Sequence, residues 1–386
     1  MGKKVYFFTN LAPHYRQLLW LNILKNQENE YSFLCGKETS SGIKQIDFET
    51  EDFEPYRNRI EFLKNRYLKK KYLIWQSGAI TKALSSKLDV AIITGDAWVI
   101  TNWIISIILK LRGKKVVFWS HGIYGNEKGL KKFLRILFYR LAHAHLLYER
   151  RAKTLMSELG FNKHKLNVIF NSLDYEKSLS LRSKIELIDK KSALPFFSDA
   201  EKPTLLFIGR LTAIKKLDLL MNAYNQLLEK GFGLNLLIVG DGPMQNQLST
   251  LVEPSIQNKS CHFYGPCYSE EKLAELISAS DLCISPGNVG LTAVHCLSYG
   301  TPVLTHDNFY NQMPEAGAIN PGKSGLLFKE NSVESIVEKV EYWIFEQKLS
   351  REEIRKNCYK IIDDYYNPQY QIKVVNNLVN GNNPLL

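Results

Sequence analysis

Leu205-Leu206-Phe207-Ile208, followed by Gly209-Arg210-Leu211, is the stretch whose reading decides the fold. The run has no polar face, so it reads as a strand buried on both sides, the pattern of a parallel sheet covered by helices. Gly209 breaks the strand, and Lys215 and Lys216 lie just ahead of a helical period over Leu217–Lys230. Leu236-Leu237-Ile238-Val239 repeats the pattern and ends in Gly240-Asp241-Gly242-Pro243, where glycine permits tight turns and close backbone approach. Strands are predicted again over His262–Tyr264, Leu282–Ser285 and Pro302–Thr305, with helical periods over Glu270–Ala279 and Val333–Glu346. Regular alternation of strand and helix means a parallel sheet with helices on both faces.

Outward from there, the first half follows the same rule. Strands are predicted over Lys4–Thr9, Tyr31–Cys35, Val90–Thr94, Val116–Ser120, His145–Tyr148 and Asn167–Phe170. At 386 residues the chain suits two domains rather than one. The expected fold class is α/β, with two doubly wound, Rossmann-like domains facing a deep interdomain cleft. Periodic structure fades over Ser178–Lys202, so the expected domains are residues 1–195 and 196–365, with 366–386 returning toward the first. In open α/β sheets ligands bind beyond the carboxyl ends of the strands, so function is expected in the loops there.

Composition narrows the classes. Apolar residues make up 45% and charged residues 23%, as in a folded globular protein. The longest apolar run, Ala97–Leu109, is interrupted by Thr101 and Asn102 and falls short of the roughly 18–20 residues of a bilayer span, so a buried helix is expected. The N-terminus carries no signal-peptide pattern, and the six cysteines form no CxxC pair. Reduced thiols and a cytoplasmic location, with a peripheral membrane position on the inner face open, are the expectation. The net charge of +11 divides into 34 Lys/Arg against 18 Asp/Glu over residues 1–195 and 16 against 21 over the remainder. A basic half suits an anionic partner, yet no nucleic-acid motif is present.

The strand-end loops of the second half carry the chemistry. Arg210 donates in a fork and Lys215 acts as a point charge, which suits a diphosphate, although a basic turn alone reads equally as solvated surface. Ser285-Pro286-Gly287-Asn288-Val289-Gly290-Leu291-Thr292 joins a strand to a helix, with backbone N–H groups at the positive helix end. Tyr264, Gly265 and Pro266 form a strand end against which a flat base can lie, and Gln312-Met313-Pro314-Glu315 supplies polar groups after the next strand.

The order GRL-x3-K, IVGDGP, FYG, SPG-x2-GL and YGTPV, continuous over roughly residues 203–328, resembles the C-terminal domain of the retaining GT-B glycosyltransferases of family 4. The resemblance implies that Arg210 and Lys215 bind the donor diphosphate and stabilise it as it departs. It implies further that Asn288, Val289, Gly290, Leu291 and Thr292 contact donor sugar and phosphate, and that Tyr264, Gly265 and Pro266 cradle the base. Gly209, Gly240, Gly242 and Glu315 complete the expected donor site. One departure stands out. The family carries two glutamates with seven residues between them, the first on donor-sugar hydroxyls and the second on the ribose; here those positions hold Gly287 and His295. His295 is either an acceptor for a ribose hydroxyl or a packed helix histidine.

In the first half the acceptor is expected at His14, Tyr15 and Arg16, after the first strand, and at Asp96, which either holds an acceptor hydroxyl or caps the next helix. His121, at the end of Val117–Ser120, resembles a histidine that touches the donor sugar in related transferases; the other reading is a buried structural histidine. No D-x-D pair stands in a strand-end loop, so no metal and no cofactor are expected, the nucleotide sugar being a substrate. The resemblance implies transfer from a UDP- or GDP-linked donor to a saccharide acceptor with retention, giving an α-linkage, in bacterial surface-polysaccharide or glycan assembly. Basic residues interleaved with aromatics over Tyr56–Ile80 and Lys128–Arg140 suit an anionic membrane surface and a lipid-linked acceptor, or else a solvated basic face. The alternative function is a catalytically silent sugar-nucleotide-binding relative, supported by the missing glutamate pair.

Overall fold

The computed structural model describes residues 2–37, 44–68, 72–85 and 87–386. Two compact units emerge: Met1–Asp174 with Asn367–Leu386, and Tyr175–Tyr366. The chain thus passes from one unit to the other at Asp174/Tyr175, earlier than the expected division at 195/196, because the helix Tyr175–Ile185 packs in the second unit against the helix Glu270–Ala279.

The first unit is built on β1 (Lys4–Thr9), β2 (Glu30–Gly36), β3 (Ile60–Leu68), β4 (Leu73–Ser77), β5 (Val90–Thr94), β6 (Lys115–Ser120), β7 (Ala144–Leu147) and β8 (Leu166–Val168). Their order in the sheet is β4-β3-β2-β1-β5-β6-β7-β8, parallel except for the antiparallel pair β3–β4. Period-two alternation sorts side chains onto two buried faces. Val5, Phe7, Phe33, Ile92, Val117 and Trp119 meet Leu19 and Trp20 of the helix Gln17–Leu24 and Val374, Val375 and Leu378 of the last helix, Pro368–Asn380. Phe8, Leu34, Ile93 and Phe118 meet Ile105 and Leu109 of the helix Ile100–Leu111, so the apolar run centred there is a buried helix. Lys3 and Lys115 donate their amines to the carbonyls of Val379 and Leu378, satisfying the end of the last helix.

The second unit carries β9 (Thr204–Ile208), β10 (Asn235–Val239), β11 (Cys261–Gly265), β12 (Leu282–Ser285), β13 (Val303–His306) and β14 (Gly325–Phe328). All are parallel, in the order β11-β10-β9-β12-β13-β14. This is the doubly wound order in which strand succession reverses between β9 and β12. Both units are Rossmann-like.

The stretch Tyr56–Ile80 corrects the sequence reading. Its basic-aromatic interleaving belongs to the 3-10 helix Glu51–Arg59 and the hairpin β3–β4 at the sheet edge. Along β3, Leu63 and Asn65 turn inward while Glu61, Phe62, Lys64, Arg66 and Leu68 are exposed. Lys69, Lys70 and Lys71 lie outside the described residues. Among the described residues no helix is long and apolar enough to cross a membrane.

Candidate functional site

In the second unit the loops after β9 and β12, the two strands at the reversal, come together. Gly209 N–H donates to Val239 O at 3.0 Å and Gly240 N–H to Gly265 O at 2.8 Å, which locks the ends of β9, β10 and β11 side by side. At Gly240, with φ +133°, a Cβ would stand 2.0 Å from Gly209 O, so only glycine fits. The short turn Ala213–Lys215 then carries Lys215 to the loop after β12. Its Nζ donates to Asn288 O at 2.6 Å and to Asn288 Oδ1 at 2.9 Å. Val289 N–H donates to Gln312 Oε1 at 3.0 Å, and the Gln312 amide is anchored on Thr305 Oγ1 and His306 O. Thr292 Oγ1 donates to Ile208 O at 3.2 Å, pinning the first turn of the helix Leu291–Ser298 to the end of β9.

A lysine amine, the β9 loop and a helix N-terminus therefore converge beyond the carboxyl ends of the strands. Burial lowers the Lys215 pKa, and the neighbouring Glu315 carboxylate opposes that shift. Glu315 is itself buried behind the loop. Arg210 is exposed, and among the described residues its guanidinium holds no partner. A lysine amine beside a helix N-terminus, with an arginine on the neighbouring strand-end loop, has the chemistry that suits a phosphate group. Tyr264 and Gly265 end β11, Pro266 is exposed, and the Tyr264 ring lies 6.2 Å from Phe196, which stacks on His262 at 4.0 Å.

The glycine departure has a physical cause. Gly287 N–H donates to Lys215 O, and a Cβ at position 287 would stand 2.2 Å from Ile214 O and 2.8 Å from Lys215 Cα. The turn that carries Lys215 occupies the space of a side chain there. His295, at the other altered position, bonds to Glu270 rather than standing alone: Nε2 and Glu270 Oε1 are 2.8 Å apart. Glu270 is absent from the sequence reading, because a glutamate in a first helical turn reads as an ordinary N-terminal acid.

In the first unit two adjoining cavities open at the carboxyl ends of β1, β5 and β6, about 180 and 370 Å³ in volume. Asn10, Thr94, Trp119, His121 and Tyr148 line both. Tyr15 and Arg16 line the smaller; the Arg16 guanidinium lies 4.9 Å over Trp119 and donates to the Tyr148 hydroxyl. His14 is exposed and lines neither; its backbone N–H donates to Lys44 O at 2.8 Å. His121 faces Tyr148, with ring centroids 4.7 Å apart. Burial, with Arg16 and Arg135 adding repulsion, pushes its pKa down to about 4, so the imidazole is neutral near pH 7. Its Nδ1 is buried without a partner among the described residues.

Asp96 lines the larger cavity, and its Oδ1 accepts the Trp98 N–H at 2.9 Å. The N-cap of the next helix is Val99, so the carboxylate closes the turn ahead of that helix rather than capping it. Burial raises its pKa, while the Trp98 N–H and Arg135 pull it back. Two buried amides of the edge hairpin, missed in the sequence, hold the start of this site. Asn65 Nδ2 donates to Asn10 O and Gln76 Nε2 to Thr9 O, both at 2.8 Å.

Two Rossmann-like units, one with a phosphate-suited loop set at its strand reversal, define the class of GT-B folds. Residues 190–361 match the family model of the glycosyl transferases group 1, and the second unit belongs to that family. Among curated relatives, the 2-deoxystreptamine glucosyltransferase of Streptomyces kanamyceticus is 26% identical over 170 residues, 43% of this chain and 43% of the relative. Glycogen synthase of Leptothrix cholodnii is 35% identical over 118 residues, 30% of this chain and 24% of the relative. The chain thus spans less than half the length of these curated relatives. Among solved structures, Anabaena HepE in complex with UDP superposes with a TM-score of 0.69 at 16% identity, covering 98% of this chain and 99% of its own. The lipopolysaccharide outer core galactosyltransferase WaaB superposes at 0.67 and 15%, covering 97% and 99%. At such identities these two structures speak for the fold.

Proposed function

We propose that this protein is a glycosyltransferase that moves a sugar from a nucleoside-diphosphate sugar to a saccharide acceptor. The observation that carries the reading is the Lys215–Asn288 contact beside exposed Arg210 and the N-terminus of the helix Leu291–Ser298. A leaving diphosphate gains negative charge as the glycosidic bond breaks, and fixed cations and helix N–H groups stabilise that charge without reorganising. Arg210 and Lys215 fill this role; no divalent ion is required of them, and turnover in the presence of EDTA tests that. Transfer proceeds with retention, the departing phosphate assisting attack on the same face, and an anomeric proton of inverted configuration in the product's NMR spectrum would refute it.

The donor is a UDP- or GDP-sugar. Crystals of HepE hold UDP and UDP-glucose, which favours the uridine series as the first to try. Neutral His121, with an unpartnered Nδ1 among aromatic rings, suits contact with sugar hydroxyls, and Tyr15, Arg16 and Asp96 serve the acceptor. A lipid-linked acceptor at an anionic membrane surface, as in bacterial surface-glycan assembly, fits the basic first unit. The decisive experiment is product formation across UDP-, GDP- and ADP-sugars with candidate acceptors. Arg210→Ala and Lys215→Ala should each lower kcat/KM by about a hundredfold, the scale of one lost charge-stabilising group. Donor binding without turnover on any acceptor would favour a silent sugar-nucleotide-binding relative.

A further inference from the structure

The two lysines of the doublet Lys215-Lys216 take different partners. Lys215 turns to the loop after β12, whereas Lys216 Nζ donates to Glu330 Oε1 at 2.9 Å and to Asn331 Oδ1 at 2.7 Å, just past the end of β14. Lys216 links the turn Ala213–Lys215 to the helix Leu217–Glu229 with φ +50° and ψ +41°. Glycine adopts that left-handed conformation without strain and lysine does not, so the residue present strains the backbone and makes an amine contact that glycine could not. Glu330 gathers more than this lysine. Its side chain is 13% exposed; Oε2 accepts from Asn308 Nδ2 at 2.6 Å, and the Asn311 amide reaches Oε1 at 3.0 Å and Oε2 at 3.1 Å. Burial raises the Glu330 pKa, but the bonds from Lys216, Asn308 and Asn311 outweigh it and bring the carboxyl down to about 2, so it is charged at neutral pH.

These contacts close a ring around the loop after β12. Asn308 and Asn311 bound the short turn Phe309–Asn311, directly ahead of Gln312, whose side chain accepts the Val289 N–H. Lys216 follows Lys215, whose amine holds Asn288 and whose carbonyl accepts the Gly287 N–H. The segment Gly287–Val289 is therefore held on one side by the Lys215 turn and on the other by Gln312, and Glu330 bonds to the chain neighbours of both. We infer that Glu330, acting through Lys216, is a positioning residue for the donor diphosphate. It holds the Lys215 turn and the loop ahead of the helix Leu291–Ser298 in one arrangement before a nucleotide arrives. A site ordered in advance spares the ordering of a long side chain at the moment of binding. Lys216 is then a brace and not a second phosphate ligand. This inference rests on the nucleotide-sugar reading of the second unit.

The competing roles are a phosphate ligand at Lys216 and a plain staple at Glu330, and substitutions tell the three apart. Calorimetric titration of the full chain would compare whichever of UDP, GDP and ADP binds tightest with its phosphate-free nucleoside. The unchanged protein should prefer the diphosphate by about a hundredfold, the worth of two hydrogen bonds between charged groups. Glu330→Gln keeps the size of the side chain and removes its charge. It should cut that preference about three- to tenfold, the cost of ordering one long side chain on binding. Lys216→Gly, whose backbone suits the left-handed turn, should cut it by a similar factor and serves in place of Glu330→Gln should that protein not fold. Because the two residues act as one brace, the double variant should lose no more than the worse single variant. A rise in diphosphate affinity in Glu330→Gln overturns the inference, since the carboxylate would then be masking a phosphate-binding lysine. A preference unchanged in either variant overturns it too and leaves the pair a staple, as do losses that add in the double variant. If none of the three nucleotides binds the unchanged protein, or diphosphate and nucleoside bind it equally, the nucleotide-sugar reading itself fails and the inference falls with it.

Discussion

At the scale of the residue, Gly287 shows how a missing side chain can be imposed by a neighbouring backbone. The turn Ala213–Lys215 packs where a Cβ at 287 would stand, and Gly287 N–H holds that turn through Lys215 O at 3.0 Å. The position is therefore not a vacancy into which a glutamate can be restored. Gly287→Glu should force the turn away, costing about 2 kcal/mol by the usual scale of overpacking and lowering Tm by about 5 °C. Because Lys215 rides on the turn, nucleotide affinity should fall together with Tm. Thermal denaturation and calorimetry on the same sample check both. A Gly287→Glu protein of unchanged Tm with tighter donor binding would mean that the turn yields easily and that the family's arrangement remains within reach.

Between elements, the hairpin β3–β4 ties the sheet edge to the first cavity. Gln76 is buried and gives its amide to Thr9 O at 2.8 Å and to Asn65 Oδ1 at 3.3 Å, while Asn65 holds Asn10 O. Thr9 and Asn10 begin the loop that leads to Tyr15 and Arg16. Gln76→Ala would strand buried polar groups at a cost of about 1–3 kcal/mol. Its specific signature should be a several-fold rise in acceptor KM with donor Kd unchanged; a fall in Tm alone, with KM intact, would reduce the hairpin to a structural edge. This element also marks where the sequence stopped being legible. The buried strands of both sheets announced themselves as unbroken apolar runs, and Leu205–Ile208 with its glycine break fixed the architecture of the second unit. β3 has buried Asn65 where an apolar residue would complete the alternation, so charge dominated its reading. The loops at the strand reversal of the second unit were legible because glycines, Arg210 and Lys215 are local in sequence. Glu270 was not, because its partners His295 and Tyr299 are twenty-five and twenty-nine residues away and the contact exists only after folding.

Over the whole molecule, charge and exposed apolar surface concentrate on the same unit. The first unit holds 30 Lys/Arg against 15 Asp/Glu, and the second 20 against 24. Within the first, the helix Gly129–Tyr139 exposes Leu130, Phe133 and Leu137 at 71%, 61% and 44%, spaced to form one stripe, and around its start Lys128 and Lys131 stand exposed and Lys132 is half-buried. An apolar stripe beside lysines is the arrangement that lies in a lipid interface, its apolar side chains among the acyl boundary and its amines near anionic headgroups. At about 1 kcal/mol per well-placed lysine, three would raise affinity for an anionic surface by roughly a hundredfold over a neutral one. The full chain should therefore sediment with phosphatidylserine-containing vesicles and not with pure phosphatidylcholine, and raising the salt to about 1 M, where the Debye length shrinks to roughly 3 Å, should release it. Leu130→Glu with Phe133→Glu should abolish sedimentation at every salt concentration, since it removes the apolar contact and reverses local charge together. Lys131→Gln with Lys132→Gln should only shift the salt midpoint downward. Equal sedimentation with both vesicle types, or persistence in the glutamate variant, would detach the basic face from lipid and leave the stripe to another role.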